Sequence, residues 1–228
     1  MHIPDGYLSP QTYVPLYAVS VSFFGVALKK IRNQLAAKHV PYLAMAAAFS
    51  FLIMMFNIPV PGGTTGHAVG AGIVALLLGP WTAVVAISVV LVIQALVFGD
   101  GGITSLGANC FNMAIVMPFV SYWTFRAVKG KGSGKRRIFA ASFLAGYSGL
   151  SVAAIVTALE FGIQPLIAHG VDGRPLYAPY PLSVALPAMA ATHLLAFSIF
   201  EGLVTALLFS HFVRRENTPV YAMKGGNS

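Results

Sequence analysis

The first two residues, Met1 and His2, carry the most specific metal-binding chemistry in the sequence. A free α-amino group, the deprotonated amide nitrogen of residue 2 and its imidazole Nδ1 can close two fused chelate rings around one ion. Three nitrogens then fill three corners of a square plane, which favours Ni(II) or Cu(II), whereas Mg(II) requires oxygen ligands. The opening shows no basic segment and no cleavage site of a secretory signal, so we expect Met1 to be the mature N-terminus.

A further nitrogen donor is predicted at His67, within the glycine-rich segment PGGTTGHAVGAG. A helix over residues 67–79 would be about 20 Å long, against a hydrocarbon core of about 30 Å. Its first turn would therefore lie below the membrane surface, where irregular backbone is tolerated only inside protein or beside a cavity. We predict that His67 fills the fourth corner; the alternative is a histidine bonded only to backbone groups at a helix start.

Five more polar side chains interrupt otherwise apolar helical segments. Such side chains are costly in a membrane and usually face the interior of the bundle. They suit a shell that orients metal ligands or holds the N-terminal segment, or else ordinary hydrogen bonds between helices. For the deepest of them an ion pair, a proton-linked role and a structural bond all remain open. The five are Gln94, Asn109, Asn112, His193 and, deepest, Glu201.

The other three histidines are expected to lie away from the metal site. His39 and His211 adjoin basic loops and should be solvated at one membrane interface. His169 falls in a long loop of roughly 162–182 between two predicted spans, and we do not expect it to bind metal.

The composition requires a membrane protein. Of 228 residues, 57% are hydrophobic and 9% charged, and the mean hydropathy is +0.78. Soluble domains carry about 25% charged residues. Long apolar runs predict membrane-spanning helices, since a barrel would show alternating segments of about ten residues. The net charge of +8 does not indicate nucleic-acid binding, because the basic residues cluster in loops between apolar segments.

The apolar runs predict an all-α bundle of seven transmembrane helices in a single domain, residues 1–228. Residues 1–10 would form the metal-binding N-terminal segment, and residues 216–228 a loose cytoplasmic tail. Gly79-Pro80 marks a tight turn between the third and fourth helices. The predicted helices fall at roughly 11–29, 40–57, 67–79, 81–98, 105–127, 138–161 and 183–212.

The distribution of lysine and arginine predicts the orientation of the bundle. With seven helices and the N-terminus outside, every basic residue except Arg174 falls on the cytoplasmic side. The outer face is then net acidic, which would concentrate cations near the predicted site or simply reflect the bias of basic residues to the inside. Its acidic residues are Asp5, Asp100, Glu160 and Asp172.

Three segments resemble one family: MHIPDGYLSP, PGGTTGHAVGAG and GDGGITSLGANCFNMA. Over essentially the whole chain the sequence is similar to the nickel/cobalt-capturing S components of energy-coupling-factor transporters, the NikM/CbiM family. The resemblance implies an extra N-terminal helix before the usual six. It also implies a metal site made by the Met1 amine, the His2 amide and imidazole, and His67. The cargo would be Ni²⁺ or Co²⁺, taken up across a prokaryotic cell membrane.

The resemblance further implies partners for this chain. These are a transmembrane coupling (T) component, two cytoplasmic ATPase subunits and a small accessory membrane subunit. The sequence contains no GxxxxGK[ST] loop, so we expect no ATP hydrolysis by the chain itself. Members of this class dock through an Ala-xxx-Ala helix face, which Ala44 and Ala48 match; small residues permit close helix approach.

Two other functions are weighed against metal capture. An intramembrane enzyme is disfavoured, because the sequence contains no HExxH and no evident nucleophile–histidine pair. A stand-alone metal channel or permease of the same fold stays open. Between the two ions, nickel is favoured over cobalt because a strained square plane suits nickel better.

Overall fold

The structure, a computed structural model, describes residues 1–32, 40–60, 64–214 and 221 of the chain. This part is mostly helical. Three π-helical segments occur within it: Gln94–Phe98 continues α4, Cys110–Val116 joins α5 to α6, and His193–Phe197 joins α9 to α10. The α-helices are α1 (Pro10–Ile31), α2 (Val40–Met54), α3 (Ala71–Leu78), α4 (Pro80–Ile93), α5 (Leu106–Asn109), α6 (Met117–Lys129), α7 (Lys135–Gly162), α8 (Gln164–Ile167), α9 (Leu182–Thr192) and α10 (Ser198–Val213).

Two predicted boundaries are wrong, both next to the glycine-rich segment. The second helix ends at Met54 rather than at residue 57, and the third begins at Ala71 rather than at residue 67. Between them an antiparallel hairpin pairs β1 (Ile58–Val60) with β2 (Thr64–Gly66). Gly70, with φ of 75°, turns the chain from extended backbone into α3, a conformation that other residues rarely adopt.

Four helical runs in the described part are long and apolar enough to cross a membrane: Pro10–Ile31, Pro80–Phe98, Lys135–Ile167 and Leu182–Val213. Val40–Met54 is a shorter apolar helix. Large apolar side chains point outward along these runs, including Leu52, Val97 and Leu207. The chain is therefore a helical membrane protein whose apolar surface faces lipid. The count of seven spans and the orientation stay predictions.

The loops lie at the two ends of the helix bundle. Residues 1–9, a segment without helix or strand that we call the N-terminal strap, lie with residues 99–105 and with the region around Gln164 and Ala178. We call this the strap end. At the opposite end, Gly79 ends α3 with φ of 93°, and Pro80 begins α4 where no N–H donor is required. Apart from Arg174, the lysines and arginines within the described ranges lie toward that opposite end.

Close packing in the bundle depends on small residues of α7. A Cβ atom built on Gly149 would lie 2.1 Å from Ser121 Oγ of α6, and one on Gly146 would lie 2.7 Å from Thr205 Oγ1 of α10. Glycine at these positions lets the three helices approach closely, which is how helices associate in lipid.

The strap is inserted into the main hydrophobic core. Met1, Ile3 and Leu8 are buried among side chains of the helices, such as Met113 and Phe161. Burying each of these side chains stabilises the closed strap by about 1.5–3 kcal/mol relative to exposure to water. The N-terminus is therefore held inside the bundle as a structural element.

Candidate metal centre

Three hydrogen bonds to the backbone of Ile3, two of them from the Asn109 side chain, position the strap. Ile3 N donates to Asn109 Oδ1 (2.8 Å), and Asn109 Nδ2 donates back to Ile3 O (3.1 Å). Gly102 N also donates to Ile3 O (2.9 Å). One side chain thus satisfies both polar groups of Ile3, much as a neighbouring strand would. This contact holds the chain one residue beyond His2.

The carboxylate of Asp5 holds a later part of the strap. Asp5 accepts bonds from Ile103 N (3.1 Å), Thr104 N (2.7 Å) and Thr104 Oγ1 (2.5 Å). The bond from the Thr104 hydroxyl lowers the pKa of Asp5, and the two backbone donors act in the same direction. A Cβ atom on Gly102 would lie 2.3 Å from Asp5 N, so only glycine allows this approach.

The strap delivers the α-amino group and His2 to the glycine-rich hairpin. The Met1 amine donates to the backbone oxygen of Thr65 and lies 3.3 Å from Thr65 Oγ1. His2 Nδ1 lies 3.0 Å from His67 Nε2, and the two rings stack with centroids 4.7 Å apart. Met1, His2 and His67 are 1%, 4% and 1% exposed, so this cluster is closed to bulk water.

The orientation of His67 is set by its own backbone and by a buried carboxylate. Its Nδ1 donates to Ala68 O (3.0 Å), which leaves Nε2 of the neutral ring with a lone pair directed at His2. Glu201 of α10 then accepts bonds from Val69 N (2.8 Å) and Gly70 N (3.0 Å). Glu201 therefore holds the backbone that follows His67, at the positive end of α3.

Electrostatics keep the nitrogens of the cluster neutral. Burial lowers the pKa of the Met1 amine from 8.0 to about 4, opposed by the negative charge of Asp100. Burial, followed by the charge of the amine, lowers the pKa of His2 from 6.5 to about 3 and places that of His67 well below 6.5. All three groups are therefore unprotonated at neutral pH, and their lone pairs can bind a cation.

Two polar side chains border the His2 ring. Gln94 is fully buried at the start of the π-helical segment of α4, and its interaction with the ring opposes the fall in the pKa of His2. Asp100 Oδ1 lies 3.5 Å from His2 Nδ1. Burial raises the pKa of Asp100 above 3.8, and the nearby amine opposes this shift. Because His2 is neutral, this contact is a carboxylate beside an imidazole rather than an ion pair.

Of the other predicted polar residues, Asn112 contacts Glu160 rather than the cluster, whereas His193 lies near the cluster. Asn112 donates to Glu160 Oε2 (2.6 Å), so it meets a different partner from Asn109. His193 is buried, its Nδ1 is 3.0 Å from Met189 O, and its Nε2 has no hydrogen-bond partner among the described residues. It is near enough to the Met1 amine to interact with it electrostatically. His169 and His211 are exposed; His39 falls outside the described residues.

The π-helical segments coincide with the polar positions. Gln94 begins the first, Asn112 lies in the second and His193 begins the third. The wider turn shifts the helix face, so three-residue spacing no longer places side chains side by side. Asn109, just before the second segment, and Asn112, within it, contact different groups. π-Helical turns occur frequently at functional sites.

Sequence reasoning did not place three groups that border the cluster. Asp100 was expected at the outer face but not beside His2, and Asn57, whose Nδ2 is 3.3 Å from Asp100 Oδ1, was not singled out. Thr65 contributes a backbone oxygen, which no residue pattern reveals. The sequence feature that could have indicated the place of Asp100 is its position just after the apolar run that contains Gln94.

The donor set is unusual because the main chain must contribute to it. In the described part of the chain, no group of three or more His, Cys, Asp or Glu side chains is placed to hold a metal ion. The cluster offers two imidazoles and one amine, and the His2 amide lies between two of these donors. Such an all-nitrogen set matches borderline transition metals and not Mg²⁺ or Ca²⁺.

Known proteins share both the sequence and the fold. A transition metal transporter, solved as a truncated form, superposes with a TM-score of 0.90 at 47% identity and covers 94% of this chain and 99% of that chain. The fused nickel transport protein NikMN of Rhodobacter capsulatus is 54% identical over 223 residues, 97% of this chain and 64% of the relative. The cobalt transport protein CbiM of Acetohalobium arabaticum is 31% identical over 214 residues, 92% and 80% of the two chains. This chain thus spans less than two thirds of the length of the fused relative.

The helical fold and these relatives define the class of the chain: a membrane protein similar to nickel and cobalt transport proteins. The family described as "Cobalt uptake substrate-specific transmembrane region" matches residues 2–218. The chain belongs to this family, CbiM, which confirms the resemblance seen in its three motifs.

Proposed function

We propose that this chain captures Ni²⁺ from the strap end with four nitrogen donors: the Met1 amine, the His2 amide, His2 Nδ1 and His67 Nε2. The observation that carries the proposal is the 3.0 Å separation of His2 Nδ1 and His67 Nε2 beside the buried amine. With metal–imidazole bonds of about 2.0–2.1 Å, adjacent corners of a square lie about 3 Å apart. Two neutral imidazoles at this spacing can bind one ion after a tautomer change, in which the proton that His2 Nδ1 donates to His67 Nε2 leaves Nδ1.

Nickel is favoured over cobalt by the rigidity of this frame. Gln94, Asn109 and Glu201 support the His2 ring, the strap and the loop after His67 respectively. Supporting contacts of this kind fix the direction of the donors. Three donors from the consecutive residues Met1 and His2, joined by two fused chelate rings, impose a plane, and planar nitrogen coordination suits Ni²⁺. Cobalt is the alternative cargo, since relatives are named for either ion.

In this proposal the chain is the substrate-binding subunit of an energy-coupling-factor transporter. Seven spanning helices would place the strap end outside and the basic end in the cytoplasm, as the positive-inside rule expects. The coupling component, two ATPase subunits and a small accessory membrane subunit would complete the transporter and hydrolyse ATP. Residues 1–228 would form one domain; the proposed tail, 216–228, lies outside the described residues apart from residue 221.

The cargo can be tested directly on purified protein. After incubation with equal amounts of Ni²⁺, Co²⁺, Zn²⁺ and Mg²⁺, we expect about one nickel per chain, in a diamagnetic complex with a visible d–d band of planar coordination. Elemental analysis and absorption spectroscopy measure both properties. The His2→Ala variant is the matched control and should retain no such band. Preferential cobalt, or a paramagnetic nickel complex, would contradict the assignment.

Transport can be separated from binding at α2. Ala44 and Ala48 are exposed, Ala44 in the half of α2 remote from the strap and Ala48 near the middle of the helix, and we propose that they dock the coupling component. Ala44→Trp should therefore bind Ni²⁺ normally, yet lose co-purification with the transporter module and ATP-driven uptake in proteoliposomes. Leu52→Trp, on an exposed position nearer the strap end of the same helix, should preserve both. Full uptake by Ala44→Trp would refute the docking face.

A further inference from the structure

Asp100 is the acidic side chain nearest to the nitrogen cluster within the described residues. It follows the π-helical segment of α4, and its backbone N–H donates to Gln94 O (3.0 Å). Asn57 Nδ2 lies 3.3 Å and 3.5 Å from its two carboxylate oxygens. Its Oδ1 is 3.5 Å from His2 Nδ1, and its side chain is 22% exposed. The carboxylate is thus fixed beside a proposed ligand, at the margin of the buried site.

The net charge of the proposed nickel complex requires a carboxylate nearby. Two imidazoles and an amine are neutral ligands, and the deprotonated His2 amide contributes one negative charge. A divalent ion in this set leaves one positive charge, enclosed by residues that are nearly inaccessible to water. An uncompensated buried charge is strongly destabilising, whereas a compensated one is tolerated.

The other acidic residues near the strap end have different partners. Glu201 accepts bonds from the Val69 and Gly70 backbone, and Glu160 accepts one from Asn112. Asp5 is bound to Thr104 and is exposed. Asp100 alone among the described acids has its carboxylate against a proposed nickel ligand.

We propose that Asp100 is the counter-charge of the metal site: it stays outside the nickel coordination sphere and makes the bound complex electrically neutral. The inference rests on the proposed function and deepens it. It explains how a buried site retains a divalent cation with only one anionic ligand. Asp100 is accordingly a positioning and charge-balancing residue, held in place by Asn57.

The test compares three isosteric or charge-conserving variants of full-length protein with wild type. Asp100→Asn keeps an oxygen that can accept from Asn57 and removes only the charge. We expect it to weaken Ni²⁺ binding at least about tenfold, the lower end of the effect of altering a group around a metal ligand. Asp100→Glu should bind nearly as wild type. Asp172→Asn, a change at an exposed acid in the loop of Arg174, should have no effect.

Two further measurements separate charge balance from other roles. Dissociation into excess chelator should be faster in Asp100→Asn, whereas the d–d band of the saturated protein should be unchanged because the four nitrogens remain. Wild-type affinity in Asp100→Asn would overturn the inference. A shifted d–d band would also overturn the inference, because it indicates that the carboxylate is bound to nickel. A loss of affinity confined to the association rate would do the same, because it indicates that Asp100 only steers the ion to the site. Failure of the wild type to bind Ni²⁺ would instead reject the proposed function.

Discussion

Residues added ahead of Met1 are expected to abolish high-affinity nickel binding. An extension converts the amine into an amide, so the first chelate ring loses its donor, and the buried Met1 leaves no room for additional chain. The protein can be expressed with a leader that ends in a protease site immediately before Met1. Calorimetry should detect no tight binding before cleavage and full binding after it, with the N-terminus verified by mass spectrometry.

Cleavage also provides the control for correct folding, because the same molecules are measured twice. A second site placed one residue earlier leaves a single glycine before Met1, and that product should remain unable to bind. The same extension at the C-terminus should be harmless. Tight binding by the verified Gly-extended protein would show that the α-amino group is not a ligand.

The second large effect is expected for His67→Ala. This change removes one of four proposed donors, and even altering a group around a ligand costs roughly 10–100-fold in metal affinity, so the loss should exceed about 100-fold. Calorimetry at a single pH measures the affinity. In the residual complex the visible band should move to lower energy, because water would replace a nitrogen donor.

His169→Ala and His211→Ala are the matched controls for this change. Both histidines are exposed and neither contacts the cluster, so their removal should leave the affinity and the spectrum unchanged. Comparable losses from all three substitutions would mean that the site has been misplaced. Because His67 is buried, thermal unfolding of His67→Ala should be followed as well, and binding compared at a temperature where the variant is folded.

The helical membrane fold could be predicted from the sequence, because length and hydropathy alone dictate it. Apolar runs must satisfy their backbone bonds internally in lipid, and this requires helices whatever the packing. The positions of the long helices were predicted within a few residues, and the motifs identified the family whose model matches residues 2–218. The predicted ligands, which the structure brings together, came from the chelating chemistry of Met1-His2 and from the resemblance.

Other features depended on contacts between distant residues. The hairpin of Ile58–Val60 with Thr64–Gly66 and the late start of α3 depend on packing between distant parts of the chain. For example, the ring of Phe197 lies so close to Gly66 that a Cβ atom built on Gly66 would be 1.9 Å from it. The π-helical segments shift the faces of three helices, which a regular period cannot reveal. These features decide which polar side chains reach the site.

The sequence by itself determined that the chain lies in a membrane, roughly where its long helices run and which donors could bind a metal, since each follows from residue type and local spacing. Only the tertiary structure decided that the strap folds into the core, that His2 Nδ1 lies 3.0 Å from His67 Nε2, and that Asp100 stands beside them. These pairs are separated by 65 and 98 positions along the chain. No local rule relates residues so far apart; their meeting depends on how the helices pack and where the loops between them return.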